Sequence, residues 1–452
     1  MLKGMSVAAT TLGCKVNQAE TDSMLDMLKA AGANIVEFDE KADIYIVNTC
    51  SVTNIADKKS RQMLHRARKM NPDGIVIAAG CYVQSAREIL EQDEAIDIVI
   101  SNNKKKSITE IVNDYINVRN NEENTADKDH EAMEYFVDIS RETEYEEMGG
   151  HVPVGHTRAY VKIQDGCNQF CSYCIIPYVR GRIRSRSQEA ILAEVSELAE
   201  AGIKEVVLTG IHISSYGKDK NNEGALIELI EAISKIKGIK RIRLGSLEPG
   251  IITEEFVERI SSNSKVCPHF HLSLQSGCDS VLKRMNRKYT CKQYFEKCDM
   301  LRKAYKSPAL TTDVIVGFPG ESEEEFAETV RYLTELNLYE MHIFKYSPRK
   351  GTVAAAMKEQ VAPEIKNERS DVLLKLAHDN KTAYEAQFEG CELEVLVEEV
   401  VKKDNKTYLR GHTERYMDIL IDVGDISMPE SFVNSFVYVT YTQNGGNLPL
   451  LL

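Results

Sequence analysis

No run of about 18 apolar residues occurs in this 452-residue chain, so no membrane-spanning helix is expected. No signal peptide is recognisable either. Met1-Leu2-Lys3-Gly4-Met5-Ser6-Val7 is too short and too polar a start before Thr10. The expected location is cytoplasmic. Without a secretory route, the eleven cysteines do not read as a disulfide framework, and a reducing compartment favours metal-binding or catalytic thiols. An excess of positive charge is lacking as well. Lys and Arg number 56 against 69 Asp and Glu, a net charge of −13. The deficit is concentrated: residues 117–150 hold eleven acidic side chains, from Glu122 to Glu147, against Arg119, Lys128 and Arg141. The remainder is close to balanced, which leaves room for local basic patches.

The most informative run present is Asp165-Gly166-Cys167-Asn168-Gln169-Phe170-Cys171-Ser172-Tyr173-Cys174. Its C-x3-C-x2-C spacing puts three thiols on one short loop. Three thiolates can hold three corners of a cubic iron–sulfur cluster, leaving a fourth iron open for chemistry. A structural zinc site or buried thiols are the alternatives. Tyr173 is placed to stack on an adenine, with ordinary packing as its plainer role.

A second set is dispersed. Cys14, Cys50 and Cys81 each follow an apolar strand-like run: 5–12, 43–48 and 74–79. In a parallel sheet the C-terminal strand ends converge on one crevice. Three cysteines in that topological position suggest a second metal cluster. Cys267, Cys278, Cys291, Cys298 and Cys391 read as small buried apolar residues.

Length alone suggests about three domains. Strands and helices alternate through residues 1–116, implying an α/β domain with a parallel sheet and helices on both faces. Residues 117–150 read as an acidic linker or loosely packed insertion. From 151 to 388 the alternation restarts as six β/α units, which suits a partial barrel rather than a closed one. Residues 389–446 carry short strand-like runs with turns between them, expected to form a small antiparallel barrel. Thr209 and Gly210, Gln275 and Ser276, and Asp313 fall at or just beyond barrel strand ends, where polar groups face a pocket. Arg180, Arg182, Arg184 and Arg186 alternate after the cysteine loop and suit a phosphate or carboxylate. The basic helix bearing Lys58, Lys59, Arg61, His65, Arg66, Arg68 and Lys69 is either an RNA-backbone contact or a solvated face.

At these residues the chain resembles the radical S-adenosylmethionine methylthiotransferases over nearly its whole length. Thr11-Leu12-Gly13-Cys14-Lys15-Val16-Asn17-Gln18, Asn48-Thr49-Cys50-Ser51-Val52-Thr53 and Gly80-Cys81-Tyr82 resemble the family's N-terminal cluster domain. His271 to Gly277 and Thr312 to Glu321 match its barrel motifs, and Gly411-His412-Thr413-Glu414 resembles its RNA-binding TRAM domain. Lys15-Val16, Val52-Thr53 and the run from Arg158 to Cys167 look like the branch acting on threonylcarbamoyladenosine in tRNA.

The resemblance implies two 4Fe-4S clusters, one on Cys167, Cys171 and Cys174 and one on Cys14, Cys50 and Cys81. It implies S-adenosylmethionine bound near Tyr173, Thr209, Gly210, Gln275, Ser276 and Asp313. The expected reaction is methylthiolation of carbon 2 of the modified adenine beside the anticodon. The expected partners are tRNA and an electron donor such as flavodoxin or ferredoxin, with the sulfur donor left open. Isopentenyladenosine in tRNA, a ribosomal-protein aspartate, and a non-catalytic iron–sulfur RNA-binding protein are the competing readings. One departure is the tail from Cys391, which has five basic residues against ten acidic ones.

Overall fold

Strand β3, Ile44–Thr49, and strand β4, Ile75–Gly80, are buried along their whole length, as central strands of a sheet covered on both faces must be. Their side chains alternate between two cores. Ile44, Ile46, Ile75 and Ile77 pack on one face with Met24 and Leu28. Tyr45, Val47, Val76 and Ala78 pack on the other with Leu64 and Ala67. Helix α1, Lys15–Ala30, covers the first face and helix α2, Asn54–Met70, the second. The other strands are β1 (Ser6–Thr11), β2 (Asn34–Val36), β5 (Ile98–Ile100) and β6 (Met133–Tyr135). All pairings are parallel, in the order β2-β1-β3-β4-β5-β6. This computed structural model describes residues 2–122, 132–149, 157–404, 406–424, 428–442 and 446–447.

Residues 117–150 are built differently from the expected linker. A helix runs from Ile108 to Glu122, and β6 joins the sheet beside β5. The acidic run reads as solvated, but several of its carboxylates meet cations or amides of other elements. Glu146 is buried and accepts from the Lys106 backbone N–H at 2.9 Å, and Glu147 accepts from Arg186 Nε at 2.9 Å. Residues 123–131 and 150, part of the same segment, lie outside the described residues.

The central region has the six expected strands. They are β7 (Arg158–Asp165), β9 (Glu205–Gly210), β10 (Arg241–Leu244), β11 (His269–His271), β12 (Ala309–Val316) and β13 (Glu340–Lys345). A two-residue strand, β8 (Arg184–Ser185), pairs antiparallel with β7. The sheet β10-β9-β7-β8 meets the sheet β11-β12-β13 through isolated bridges Ile242–Val266 and Leu247–Leu272, giving an open barrel. Ala159, Val161, Ile163, Val206, Leu208, Ile242 and Leu244 face the outer helices. Their neighbours Arg158, Tyr160, Lys162, Glu205, Arg241 and Arg243 therefore face the lumen.

A long helix, Pro363–Ala386, leads to a closed barrel of strands β14 (Glu392–Lys403), β15 (Lys406–Thr413), β16 (Asp418–Asp422), β17 (Phe436–Thr440) and β18 (Gly446–Asn447). Among the described residues its one parallel pairing is β16 with β18. It docks under the partial barrel, where Arg241 donates to the His412 carbonyl at 3.0 Å and Arg243 to the Glu414 carbonyl at 2.9 Å. No helix among the described residues is long and apolar enough to cross a membrane.

Candidate functional site: two cysteine triads

Strands β1, β3 and β4 are neighbours, and their registers bring Thr11 level with Asn48 and Thr49 level with Gly80. With strands about 4.8 Å apart, the residues leaving their ends share one edge. Cys14 directly precedes α1, Cys50 follows β3, and Cys81 opens helix α3 (Cys81–Ser85). Gly13 has φ 104°, and a Cβ there would lie 2.8 Å from Cys50 Sγ, so only glycine lets these two loops approach. Asn17 clamps them from within, donating to the Leu12 carbonyl at 2.8 Å and the Thr49 carbonyl at 2.9 Å. The thiols feel one another. Burial pushes Cys50 up to about 11, with Cys81 and Cys14 adding to the rise. Cys14 is reached by solvent yet closely surrounded by protein; burial raises its thiol and Cys81 adds to it.

The second group sits on the loop after β7. Gly166 has φ 72°, and a Cβ there would fall 1.8 Å from the Arg182 carbonyl oxygen, so the loop turns back on itself only through glycine. Cys167 and Cys171 are buried and Cys174 half-buried. Burial pushes Cys167 up to about 11 and Cys174 up to about 12, with neighbouring cysteines contributing. Tyr173 is raised too, by burial and then by Cys171 and Cys174, and packs beside Cys278 and Phe318.

Both sets of thiols receive N–H donors. Arg180 Nε donates to Cys81 Sγ at 3.2 Å, Arg287 Nη1 to Cys171 Sγ at 3.2 Å, and the Gln169 backbone N–H to Cys167 Sγ at 3.4 Å. Such bonds suit sulfur that carries negative charge, as cluster thiolates do. Among the described residues, the group of three ligating side chains with donor atoms all within 4.8 Å is His271, Asp313 and His342, not either cysteine triad. One tetrahedral zinc, with bonds of about 2.3 Å, would draw sulfurs to about 3.8 Å of one another. Neither cysteine triad is drawn in that tightly.

The arginine stripe meets carboxylates. Arg180 is fully buried; it bonds Glu20, donates to Asn17 Oδ1 at 2.5 Å and reaches Asp165 at 3.2 Å. Glu20 also binds Lys105 and takes Lys162 Nζ at 2.7 Å. Arg184 is 3.7 Å from Asp165, and Arg186 pairs with Glu147 and Glu194. Arg182 alone is exposed, its guanidinium 4.6 Å from the Phe170 ring centroid.

The remaining expected site residues divide. Gly210 ends β9, and a Cβ there would come within 3.0 Å of the Gln164 carbonyl oxygen. Thr209 is buried before it. Gln275 has φ 78°, a strained region for a residue with a side chain, and its backbone exchanges hydrogen bonds with Asp313 and Ile315 at 2.9 Å. Asp313 faces the lumen, 3.4 Å from His271 Nε2. Ser276 is different: its hydroxyl accepts from the Cys278 N–H at 3.3 Å and lies 3.4 Å from Thr329 Oγ1, so it closes a turn rather than facing the pocket. Glu248 and Arg287, paired at 2.9 Å next to the Cys167 loop, carry no motif that spacing could expose. Among the isolated cysteines, Cys267, Cys278 and Cys298 are buried, but Cys291 is half-buried and Cys391 exposed.

The basic faces are thinner than their composition. On α2, Arg66 pairs with Asp39 and Arg68 with Asp97, leaving Lys58, Lys59, Arg61 and Lys69 exposed. In the C-terminal barrel, Arg410 pairs with Asp418 and Arg415 turns to the Ser307 carbonyl.

The Radical SAM superfamily model matches residues 161–333, and the Uncharacterized protein family UPF0004 model matches residues 6–101. The fold resembles that of the radical S-adenosylmethionine methyltransferase TsrM of Kitasatospora setae, solved with cobalamin and a 4Fe-4S cluster. The TM-score is 0.55 at 15% identity, covering 76% of each chain. Fold and site define a radical S-adenosylmethionine enzyme, whose cofactors are S-adenosylmethionine and a 4Fe-4S cluster.

The threonylcarbamoyladenosine tRNA methylthiotransferase MtaB of Bacillus subtilis is 39% identical over 92% of this chain and 90% of its own. MtaB of Aquifex aeolicus is 37% identical over 92% and 98%. The tRNA-2-methylthio-N(6)-dimethylallyladenosine synthase of Thermoanaerobacter pseudethanolicus is 35% identical over 96% and 90%. The chain belongs to the radical S-adenosylmethionine methylthiotransferase family.

Proposed function

We propose that this protein methylthiolates carbon 2 of threonylcarbamoyladenosine beside the anticodon of tRNA. The observation that carries the reading is two triads of free cysteines, each with an arginine N–H on sulfur, in a chain similar throughout to enzymes of that name. On this reading Cys167, Cys171 and Cys174 would hold one 4Fe-4S cluster and Cys14, Cys50 and Cys81 another. When bound, the first with S-adenosylmethionine would supply radical hydrogen abstraction and the second would carry or donate the sulfur.

The protein's own residues bind and orient. Arg287 ties the Cys171 sulfur to Glu248 and so fixes the cysteine loop against the barrel floor of the site. Tyr173, Gly210, Gln275 and Asp313 are the side chains and backbone we assign to S-adenosylmethionine. Arg180, buried among Glu20, Asp165 and Asn17, holds the Cys81 end of the other triad in register with the barrel. Residues 1–116 would carry the sulfur site, 151–388 the radical site and 389–446 the RNA contact, through exposed Lys402, Lys403 and Lys406 among others.

The similarity to a dimethylallyladenosine synthase favours one second reading, that adenosine as substrate. Nucleoside analysis of tRNA from a deletion strain separates the two. The threonylcarbamoyl reading expects its methylthio derivative to vanish and to return with the wild-type gene. Loss of the methylthio-dimethylallyl nucleoside instead would replace it.

A further inference from the structure

The lower end of the lumen is closed by Tyr416, from the turn between β15 and β16. Its ring stacks on His412 at 4.5 Å and packs against His269 at 5.2 Å. Three cations surround it: Arg243 at 4.8 Å, Arg158 at 5.1 Å and Lys15 at 5.7 Å from the ring centroid. Two of them have anions. Arg243 Nε donates to Glu205 at 2.8 Å, and Arg158 Nη2 to Glu398 at 3.0 Å. Lys15 has none. Among the described residues its ammonium makes no ion pair or hydrogen bond; it lies over the rings of Tyr416 and Tyr160, at 5.7 and 6.0 Å, and the nearest carboxylate to act on it, Glu205, is already bound by Arg243. Lys15 is exposed. Beside it, His269 is 7% exposed and its Nδ1 has no partner.

A cation held against Arg158 and Arg243, whose one acidic neighbour, Glu205, is already paired with Arg243, is a costly arrangement in a partly enclosed site. An anionic ligand removes the cost. We propose that Lys15 binds the carboxylate of the threonylcarbamoyl group, and so selects this modified adenosine over one with a hydrocarbon substituent. This rests on the substrate reading above and adds the residue that would enforce it. The geometry is consistent with the chemistry of the base. The N6 substituent and carbon 2 flank N1 on one edge of adenine, so whatever reads the substituent must stand next to the sulfur-bearing cysteines. Lys15 is the residue after Cys14, at the first turn of α1. A dimethylallyl group would leave the ammonium unpaired; a threonyl carboxylate pairs it, with Arg158 and Arg243 adding attraction. Discrimination of this kind comes from leaving a polar group unsatisfied in the wrong complex.

The test uses the full-length, cluster-reconstituted enzyme and three anticodon stem-loop RNAs. They carry threonylcarbamoyladenosine, its threoninamide analogue with the carboxylate capped, or dimethylallyladenosine. Kd is read by fluorescence anisotropy without S-adenosylmethionine, then KM and kcat with it, alongside iron content. For Lys15→Gln, Kd and KM for the carboxylate RNA should rise roughly 10- to 100-fold, as expected for losing a hydrogen bond between charged groups. The larger share should fall in KM rather than kcat, and Kd for the threoninamide RNA should not move. Lys15→Arg should recover most of the affinity.

Equal weakening of both RNAs, or no weakening of either, overturns the assignment. Should Lys15→Gln lose iron, the wild-type preference for carboxylate over carboxamide, and its retention in Lys15→Arg, decide instead; no preference overturns it. A wild-type enzyme that acts on the dimethylallyl RNA alone removes the substrate reading and this inference together. A wild-type enzyme active on the threonylcarbamoyl RNA but indifferent to Lys15→Gln removes only the latter.

Discussion

Arg180 Nε donates to Cys81 Sγ at 3.2 Å, although Arg180 belongs to the cysteine loop of the partial barrel and Cys81 to the N-terminal sheet. Arg180 lies six positions after Cys174, and Ile175 and Val179 between them pack on Cys81. One short segment thus touches both triads. Arg180→Met should remove the sulfur's donor and unbalance Glu20 and Asp165. We expect about 3–5 kcal/mol of lost stability, the usual cost of breaking a buried ionic network. Iron should fall from about eight to about four per chain, taking two four-iron clusters. Chemical denaturation and iron analysis check this; unchanged iron would show that the contact does not support a cluster.

The two triads should fail separately. Cys50→Ala should halve the iron and abolish methylthio transfer while leaving reductive cleavage of S-adenosylmethionine measurable. Cys171→Ala should also halve the iron but remove that cleavage. Chromatographic assay of the cleavage product distinguishes them. Full iron in either variant would show that its triad holds no cluster.

Removing the metal should leave sluggish thiols. Burial raises Cys50 and Cys167 to about 11 and Cys174 to about 12. The thiolate is the reactive form, so at pH 8 only about one in a thousand of a thiol with pKa about 11 is ready to react. Alkylation of these three in the stripped protein should speed up about tenfold per pH unit from 8 to 10. Fast alkylation at pH 8, resolved by peptide mass mapping, would contradict their burial.

Acid should act through the ion network around Glu20. Burial alone would raise its carboxyl, but Arg180, Lys105 and Lys162 outweigh burial and hold it well below its ordinary 4.5. Asp165 is depressed below 3.8 in the same way, by Lys162, Arg180 and Arg184 against burial. A depressed carboxyl contributes stability that is fully present above its unfolded pKa and is lost as pH falls through the folded one. Tm should therefore drop steeply once pH goes below about 4.5. Glu20→Gln should lower Tm at pH 7 and flatten that acid slope. An equally steep slope in Glu20→Gln would assign the acid response to other groups.

Arg349 joins the barrel to the N-terminal domain, donating to Ser51 Oγ at 2.8 Å, Asp57 at 2.7 Å and Asn54 at 2.7 Å. Arg349→Ala should cost about 2–3 kcal/mol, as for hydrogen bonds to a buried charge. Calorimetry should then resolve the N-terminal domain melting ahead of the barrel. A single transition at the wild-type temperature would mean that other contacts hold the domains together.

Much of this was legible in sequence. Strand-then-cysteine recurs three times before residue 82, and a parallel sheet leaves little choice about where those ends meet. The six β/α units followed from periodicity, and the strand boundaries shift by few residues. Acidic charge misled in residues 117–150. Composition counts carboxylates but does not show that Arg186 or the Lys106 amide comes to meet them. Arg287 and Glu248 were invisible because their roles come from contacts across more than a hundred positions to the Cys171 sulfur, or from each other, not from any local pattern. Ser276 was misplaced because a polar residue at a strand end serves a turn as readily as a pocket.

The sequence by itself determined the chemistry available: two cysteine triads, their loops made possible by glycine, and three strands that carry one of the triads to a single sheet edge. Spacing is enough for that, because backbone geometry is local. Only the tertiary structure decided what surrounds each thiol and which charges remain unpaired. Arg180 on Cys81, Arg287 on Cys171 and the ammonium of Lys15 above Tyr416 are long-range outcomes. They depend on how three separately encoded units pack, and burial sets the strength of every charge among them.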